Sequence, residues 1–151
     1  AAEAIAGGWN LSGIINLEAG RWFTPTMASS ATLNSTIGLR PDRTCSGKVS
    51  NPNRNEWFNA SCFTTPALYT YGNSGRNILL GPGFDAVDLS LAKTFAITES
   101  TPLEIKWDVF NAFNHTNLSG PDSSIGSATV GQIFGIVDFK RRMQIGAHIT
   151  F

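Results

Sequence analysis

Residues 141–151 alternate between apolar and polar side chains with a period of two, and no other feature of the sequence restricts the fold as strongly. The apolar positions are Met143, Ile145, Ala147, Ile149 and Phe151, and the alternate positions are Arg142, Gln144, Gly146, His148 and Thr150. Successive side chains of a strand point to opposite faces, whereas a helix would place apolar residues three and four apart. The segment therefore predicts a β-strand with one apolar face.

Three further segments repeat this alternation. In residues 8–19, one face carries Trp9, Leu11, Gly13, Ile15, Leu17 and Ala19. In residues 85–97 the apolar positions are Val87, Leu89, Leu91 and Phe95, and in residues 102–113 they are Leu103, Ile105, Trp107 and Val109. The short link ITESTP predicts that the last two segments form an antiparallel hairpin. Phe110 and Phe113 break the alternation, so an irregular or short helical piece is expected there.

The connections between these strands are long and rich in Gly, Pro and Asn. Short strands are predicted within them at residues 21–25, 56–63, 68–72 and 131–137. Residues 72–84 predict a cluster of turns. We expect an all-β chain, built as an antiparallel sheet or sandwich or as an open barrel-like sheet. Residues 1–151 are expected to form a single β domain, with residues 1–6 as a candidate extended N-terminal arm.

The chain is poor in charge, with 15% charged residues against about 25% in ordinary soluble domains. Eleven basic and eleven acidic residues give a net charge of zero, so no nucleic-acid partner is expected. No apolar run approaches the ~20 residues of a membrane helix. Polarity supplied by Asn, Ser, Thr and Gly is common in secreted and surface β-proteins, and it also fits a β-sandwich enzyme. The sequence lacks a start Met, which predicts a processed product or a piece of a longer chain.

Two cysteines, Cys45 and Cys62, lie in one polar, turn-rich stretch. A disulfide between them would stabilise the fold by about 3 kcal/mol, mainly by restricting the unfolded chain. It would also place the protein in an oxidising compartment. The alternative is a pair of free thiols. We expect the disulfide, because exposed thiols on a loop are a liability outside the cytosol.

Candidates for catalysis are few, and we expect no enzyme, no cofactor and no metal. His115 and His148 are the only histidines, and no Cys or carboxylate cluster has zinc-ligand spacing. Both histidines are interpreted as surface or hydrogen-bonding residues. Glu104 and Asp108 share a strand face with Lys106 between them, which could hold a carboxylate pair for glycoside chemistry. A solvated face with ion pairing is the preferred interpretation.

Two further groups of residues suggest contacts with sugars. Trp9, Trp22, Trp57 and Trp107 could form a sugar-binding platform or an interfacial girdle, although core packing is the default for Trp9 and Trp107. Asn-x-Ser/Thr sequons occur at Asn10, Asn34, Asn59, Asn114 and Asn117, and they make covalent glycans a prediction. Serine- and threonine-rich residues 27–36 could equally carry O-glycans.

Several sequence blocks, in this order and spacing, resemble a known family. They are GGWNLSGIINLEAGRWFTP (7–25), RPDR (40–43), NEWFNASCF (55–63), YGNSGRNILLGPGF (71–84), VDLSLAKTF (87–95), WDVFNAFNHTNL (107–118) and the terminal strand that ends in Phe. Together they resemble the C-terminal end of a TonB-dependent outer-membrane receptor, of the Oar-like type that carries a carboxypeptidase-regulatory-like N-terminal domain. The resemblance covers nearly the whole chain.

The resemblance implies a barrel of about twenty-two strands that is plugged by a separate domain. It also implies nutrient import driven through TonB, and a closing strand that resembles the signal read by the outer-membrane assembly machinery. The 151 residues contain no plug domain, TonB box or full set of barrel strands. A membrane barrel needs at least eight strands of ~9–11 residues.

Two functions are therefore predicted. The first is a non-enzymatic structural subunit of the cell surface that assembles with copies of itself by β-strand addition into a filament or oligomer. The predicted assembly strands carry Trp9, Leu11, Ile15 and Leu17 at one end and Met143, Ile145, Ile149 and Phe151 at the other. The alternative is a C-terminal barrel segment of a TonB-dependent nutrient transporter. Either function places the chain outside the cell or in the outer membrane of a Gram-negative bacterium.

Overall fold

The structure is a computed structural model that describes residues 6–29, 39–98, 100–138 and 140–151. These residues form ten strands and one short 3-10 helix, so the predicted all-β class is confirmed. The strands are β1 (Trp9–Glu18), β2 (Trp22–Phe23), β3 (Thr26–Met27), β4 (Asp42–Arg43), β5 (Phe63–Thr64), β6 (Leu79–Leu80), β7 (Phe84–Thr98), β8 (Thr101–Phe110), β9 (Ser124–Ile125) and β10 (Arg142–Ile149). No helix of the described ranges is long and apolar enough to cross a membrane.

The chain divides into two compact units that interleave along the sequence. The sheet unit comprises Ala1–Glu18, Phe84–Asn117 and Asp138–Phe151, and the loop unit comprises Ala19–Gly83 and Leu118–Val137. The expectation of a single domain stays a prediction. Of the proposed N-terminal arm, residues 1–5 lie outside the described residues.

The sheet unit contains the four strands that the alternation predicted. They form one antiparallel sheet in the order β1-β7-β8-β10. β7 and β8 form the predicted hairpin, with Thr98 paired to Thr101 at its tip and a register shift between Ala96 and Thr98. The predicted irregular piece after β8 is a turn that begins at Asn111.

Both long connections of the sheet unit leave from the same end of the sheet. Glu18 at the end of β1 pairs with Phe84 at the start of β7, and Phe110 at the end of β8 pairs with Arg142 at the start of β10. The short reversal at Thr98–Thr101 lies at the opposite end. The sheet therefore has one end with a tight turn and one end with long loops.

The loop unit has a hydrophobic core of its own. That core consists of Phe58, Cys62, Phe63, Leu79 and Ile125. Around it lie three two-stranded pieces, of which β2–β6 and β4–β5 are antiparallel and β3–β9 is parallel. The ring of Phe58 lies 5.6 Å from that of Phe23 and 5.9 Å from that of Phe63, measured between centroids.

The short strands predicted in the connections are confirmed only in part. Residues 21–25 contain β2, and residues 56–63 form a 3-10 helix at Ala60–Cys62 before β5 begins. The strand predicted at residues 68–72 is wrong, because Tyr69 has a φ of +61°, which an extended strand does not accommodate. The strand at residues 131–137 is also wrong, since only Ile136 makes an isolated bridge, to Leu118.

Candidate functional site

The four-stranded sheet has one apolar face, because cross-strand partners point to the same side. The apolar face carries Trp9, Leu11, Ile15, Leu17, Val87, Leu89, Leu91, Phe95, Leu103, Ile105, Trp107, Val109, Met143, Ile145, Ala147 and Ile149. One row across the sheet runs from Leu91 to Trp107 to Ile145. Four strands that were recognised separately in the sequence thus contribute to a single continuous surface.

This apolar face is exposed. Leu11 is 72% exposed, and Ile145 is 77% exposed. The prediction that Trp9 and Trp107 pack in a core is wrong, because their exposures are 55% and 43%. Monomeric soluble proteins rarely expose an apolar patch of this extent, and such patches mark contact with a membrane or another protein.

The height of the apolar face matches the apolar band of a membrane barrel. Leu17 pairs with Asp85, and Phe95 lies ten residues further along β7. At ~3.4 Å per residue this distance is about 34 Å along the strand. Strands tilted by about 40° would span about 26 Å of membrane, against an apolar band of about 25 Å in outer-membrane barrels.

Lys93 is a charged residue within the apolar face, and its charge is accommodated locally. Its side chain is only 5% exposed, and its Nζ donates a hydrogen bond to the carbonyl of Gly7. The same Nζ lies 5.0 Å from the ring centroid of Trp9 and 5.3 Å from that of Phe95. Aromatic faces attract a cation through their quadrupole, so these contacts offset part of the cost of removing Lys93 from water.

The opposite face of the sheet is mainly polar. An open cavity of about 530 Å³ lies on it, with a lining that includes Ser12, Asp88, Ser90, Lys106, Asp108 and Gln144. Lys106 Nζ lies 3.2 Å from Asp108 Oδ1, and Gln144 Nε2 donates to Asp108 Oδ2 at 3.1 Å. The predicted ion pairing on this face is therefore present. His148 pairs in register with Glu104 and is exposed, as expected.

A pair of buried asparagines holds the looped end of the β7–β8 hairpin. Asn117 accepts a hydrogen bond from the Asp85 backbone N–H at 2.8 Å and donates to the Asp85 carbonyl at 2.9 Å. Asn111, with a φ of +50°, donates to the His115 carbonyl and accepts from the His115 N–H. The Asp88 carboxylate accepts from the Asn111 N–H at 2.8 Å. Sequence reasoning missed this arrangement, although the signal was the repeated Asn in FNAFNHTN.

Replacing Asn117 with Ala is expected to destabilise the sheet unit by about 1–3 kcal/mol, because both backbone groups of Asp85 lose their partner. Urea unfolding of the folded protein in detergent, followed by tryptophan fluorescence, would measure the loss. Thr116→Ala changes an exposed neighbour and serves as the control. Equal stabilities of the two variants would contradict the structural role of Asn117.

The predicted disulfide is present in the loop unit, between Cys45 and Cys62. Cys62 belongs to the buried core, whereas Cys45 lies on an exposed turn. The Arg43 side chain supports this turn by donating to the carbonyl of Cys45 at 2.7 Å and to that of Ser46 at 3.1 Å. The disulfide therefore ties an exposed turn to the core of the loop unit.

Asp122 organises a second turn of the loop unit. Burial alone would raise the pKa of Asp122, but hydrogen bonds from the Thr129 hydroxyl, at 2.7 Å, and from the Ser124 backbone N–H, at 3.0 Å, lower the pKa below its ordinary value. These bonds favour the carboxylate in the folded state. The folded turn is thus more stable with Asp122 ionised than with it protonated.

The stability of the loop unit is expected to decrease in acid for this reason. The contribution of Asp122 is complete above its unfolded pKa of about 4 and is lost as the pH falls through its lower folded pKa. An NMR titration of the Asp122 carboxyl would show the shift directly. Thr129→Val, which removes one donor, should move the pKa upward. An unchanged titration curve in Thr129→Val would contradict the assignment.

The sequons differ in their suitability for glycans. Asn117 is 1% exposed with its amide nitrogen bonded to Asp85, so its prediction as a glycan site is wrong. Asn34 lies outside the described residues. Asn59 caps the 3-10 helix by accepting from the Ser61 N–H, and the Oδ1 of Asn114 accepts from the Arg141 N–H. Asn10 is exposed. Glycans on the remaining sequons stay a prediction.

The histidines and carboxylates do not gather into a metal centre within the described ranges, where no group of three or more His, Cys, Asp and Glu side chains could hold an ion. His115 lies in the asparagine turn, and its Nδ1 is 3.2 Å from Asn117 Oδ1. The interpretation of His115 as a hydrogen-bonding residue is confirmed.

The sheet is open and antiparallel, with one exposed apolar face of membrane height and a polar opposite face. Its tight turn and its long connections lie at opposite ends. These are the features of the wall of a transmembrane β-barrel. The comparison with protein families agrees, because the family described as an outer membrane beta barrel domain matches residues 1–144. The chain belongs to this family and is an outer-membrane protein of a Gram-negative bacterium. Searches of curated proteins and of solved structures gave no match.

Proposed function

We propose that the four strands form a sector of the barrel wall of a TonB-dependent transporter of the Oar-like type, and that the chain is not an enzyme. The observation that carries this proposal is the exposed apolar face, which extends along β7 over about 26 Å of membrane height and whose central row runs from Leu11 through Leu91 and Trp107 to Ile145. Lipid covers such a face without a second protein layer. Two blocks that resemble this receptor family contribute to the sheet unit: residues 7–18 of the block 7–25 lead into and form β1, and the block 107–118 contains the end of β8 and the asparagine turn.

The edges of the sheet support incorporation into a larger barrel. Among the described residues, β1 and β10 each pair on one side only. Unpaired backbone groups are very costly in lipid, so both edges need further strands. The smallest known membrane barrels have eight strands, which is twice the number in this sheet, and transporters of this class have about twenty-two strands. The missing strands thus come from a longer chain or from other copies.

The connections give the orientation of this sector. Outer-membrane barrels have short turns on the periplasmic side and long loops on the extracellular side. The turn at Thr98–Thr101 is therefore periplasmic, and the long connections after β1 and β8 start on the outer side. The disulfide Cys45–Cys62 fits an oxidising exterior. The polar face with Lys106 and Asp108 lines the lumen, along the path of the hydrated nutrient.

A second candidate is self-assembly by strand addition, and the directions of the edge strands favour it. β1 and β10 run antiparallel to each other across the sheet, because three antiparallel pairings separate them. The β10 strand of one copy could therefore pair with β1 of the next and continue the antiparallel order. Such head-to-tail pairing yields a ring if it closes and a filament if it does not. Edge pairing alone leaves the apolar face exposed, and for this reason the transporter is preferred.

Quenching by lipids whose acyl chains carry bromine tests the membrane placement. The full chain is folded into vesicles in two single-tryptophan forms, one retaining Trp107 on the apolar face and one retaining Trp57 in the loop unit, with Phe at the other three positions. Trp107 fluorescence should be quenched and Trp57 fluorescence should not. Equal quenching of both, or of neither, would reject a lipid-facing sheet.

The size of the native protein separates the two candidates. An antibody against the loop unit is applied to blots of outer membranes and of material sheared from the cell surface. A transporter predicts a band much larger than the 151-residue chain, in the membrane fraction, whose mobility changes on heating. A band of the size of the chain in sheared filaments would favour the subunit and reject the transporter.

A further inference from the structure

The loop unit contains an open cavity of about 270 Å³ that the barrel-wall function does not use. Its lining comprises Trp22, Gly47, Lys48, Val49, Pro52, Trp57, Phe58, Leu79, Leu80 and Gly81. Small-molecule sites are mainly apolar and concave, with few polar groups, and this cavity of about 270 Å³ is slightly smaller than their usual range of about 300–1,000 Å³. It offers two indole rings, a proline ring and a single charged side chain.

The two tryptophans present their ring surfaces from a rigid support. Trp22 lies on β2 and pairs with Leu80 of β6, yet it is 55% exposed. The indole N–H of Trp57 donates to the Leu80 carbonyl at 2.8 Å. Because this bond already uses the polar atom of Trp57, its ring offers only an apolar surface. Such a surface favours the flat face of a ring in the ligand.

Lys48 supplies the charge of the cavity, and the backbone that carries it is held in place. Gly47 has a φ of +72°, and a Cβ at this position would lie 2.7 Å from the Phe63 ring, so the backbone approaches the core closely. The Gly47 carbonyl accepts from the Asn59 N–H at 2.9 Å. Within the described residues, the Lys48 ammonium forms no ion pair. The cavity thus combines aromatic walls with an uncompensated cation.

We infer that this cavity binds a ring-borne carboxylate, with the ring against Trp22 and Trp57 and the acid on Lys48. The shared chemistry is a flat apolar ring face next to an anion, and either an acidic sugar or an aromatic acid supplies it. Binding requires the Cys45–Cys62 disulfide, which ties the segment that leads into Lys48 to the core. The inference does not depend on how the barrel is completed, because every residue of the site lies in the loop unit.

Calorimetric titration of the full chain in detergent tests the inference with two acids, trigalacturonate and 2-naphthoate, each beside its methyl ester. At least one acid should bind about tenfold more tightly than its ester, as expected for a charge-assisted contact. That preference should shrink at high salt. Whichever acid binds shows whether the ring of the ligand belongs to a sugar or to an aromatic acid. Equal binding of acid and ester, or no saturation by either acid, would overturn the inference.

Two variants and two controls assign the site. Lys48→Gln and Trp22→Ala should each weaken binding of the acid by about tenfold, whereas Lys140→Gln and Phe134→Ala, which change exposed residues outside the cavity, should not. Reduction of the disulfide should also weaken binding. If Trp22→Ala fails to fold, Lys48→Gln still tests whether the acid binds at this cavity, because Lys48 is exposed. Unchanged affinity in folded Lys48→Gln would reject the site.

Discussion

Ile145→Arg should destabilise the membrane-inserted protein by about 2–4 kcal/mol, because Ile145 lies near mid-height of the apolar face, in the row of Leu91 and Trp107. In the proposed barrel wall, an arginine at this position would face the centre of the hydrocarbon, where water cannot solvate its charge. Urea titration of the protein folded into vesicles would measure the loss. Failure to insert at all would be the extreme form of the same result.

Gln144→Arg is the matched control for this experiment. Gln144 is the preceding residue of β10, faces the opposite side of the sheet and contacts the carboxylate of Asp108. The same charge on the polar face is expected to change stability by less than about 0.5 kcal/mol. If the two arginine variants lose equal stability, the apolar face does not meet lipid, and the barrel-wall proposal fails.

Removing the disulfide should destabilise the loop unit by about 3 kcal/mol, the value expected when a closed loop of this length is opened in the unfolded chain. The change is Cys45→Ala combined with Cys62→Ala. Alanine avoids placing a new hydroxyl in the core around Cys62. Resistance to proteolysis in the region of residues 45–62, measured against urea concentration, would report the loss.

The wild-type protein provides the control for this variant. Its loop unit should lose the same stability when a reductant is added, whereas the double variant should not respond to the reductant. A double variant as resistant as the oxidised wild type would show that the disulfide does not hold the loop unit together. Quenching of Trp107 by lipid should persist in the variant, because the sheet contains no cysteine.

The alternation of side chains predicted the sheet closely. The closing segment and the segment around Leu11 each became one strand, and residues 85–97 and 102–113 became a hairpin. Alternation is a local property that every strand with two different faces must show, so it can be read without knowledge of the partners. The resemblance to a barrel family rested on these strands and also on blocks of the connections, such as residues 40–43 and 55–63.

The loop unit was predicted less well, because non-local contacts decide its structure. Phe63 and Leu79 meet in one core although sixteen positions separate them, and β3 pairs in parallel with β9 from the other long connection. No periodicity signals such contacts. The cavity beside Trp22 and Trp57 also arises from this packing, so the sequence could suggest a sugar platform but could not choose which tryptophans belong to it.

The sequence by itself determined that the closing segment is a two-faced strand, and that Cys45 and Cys62 had one partner available within the chain. It could not decide what the apolar face meets, because lipid, a core and a second copy all require the same alternation. Only the tertiary structure showed that the apolar faces of four strands align in rows and that no layer of the described residues covers them. Register and burial arise from pairing between distant segments. They therefore placed an ambiguous strand at the edge of a four-stranded sheet with one exposed apolar face.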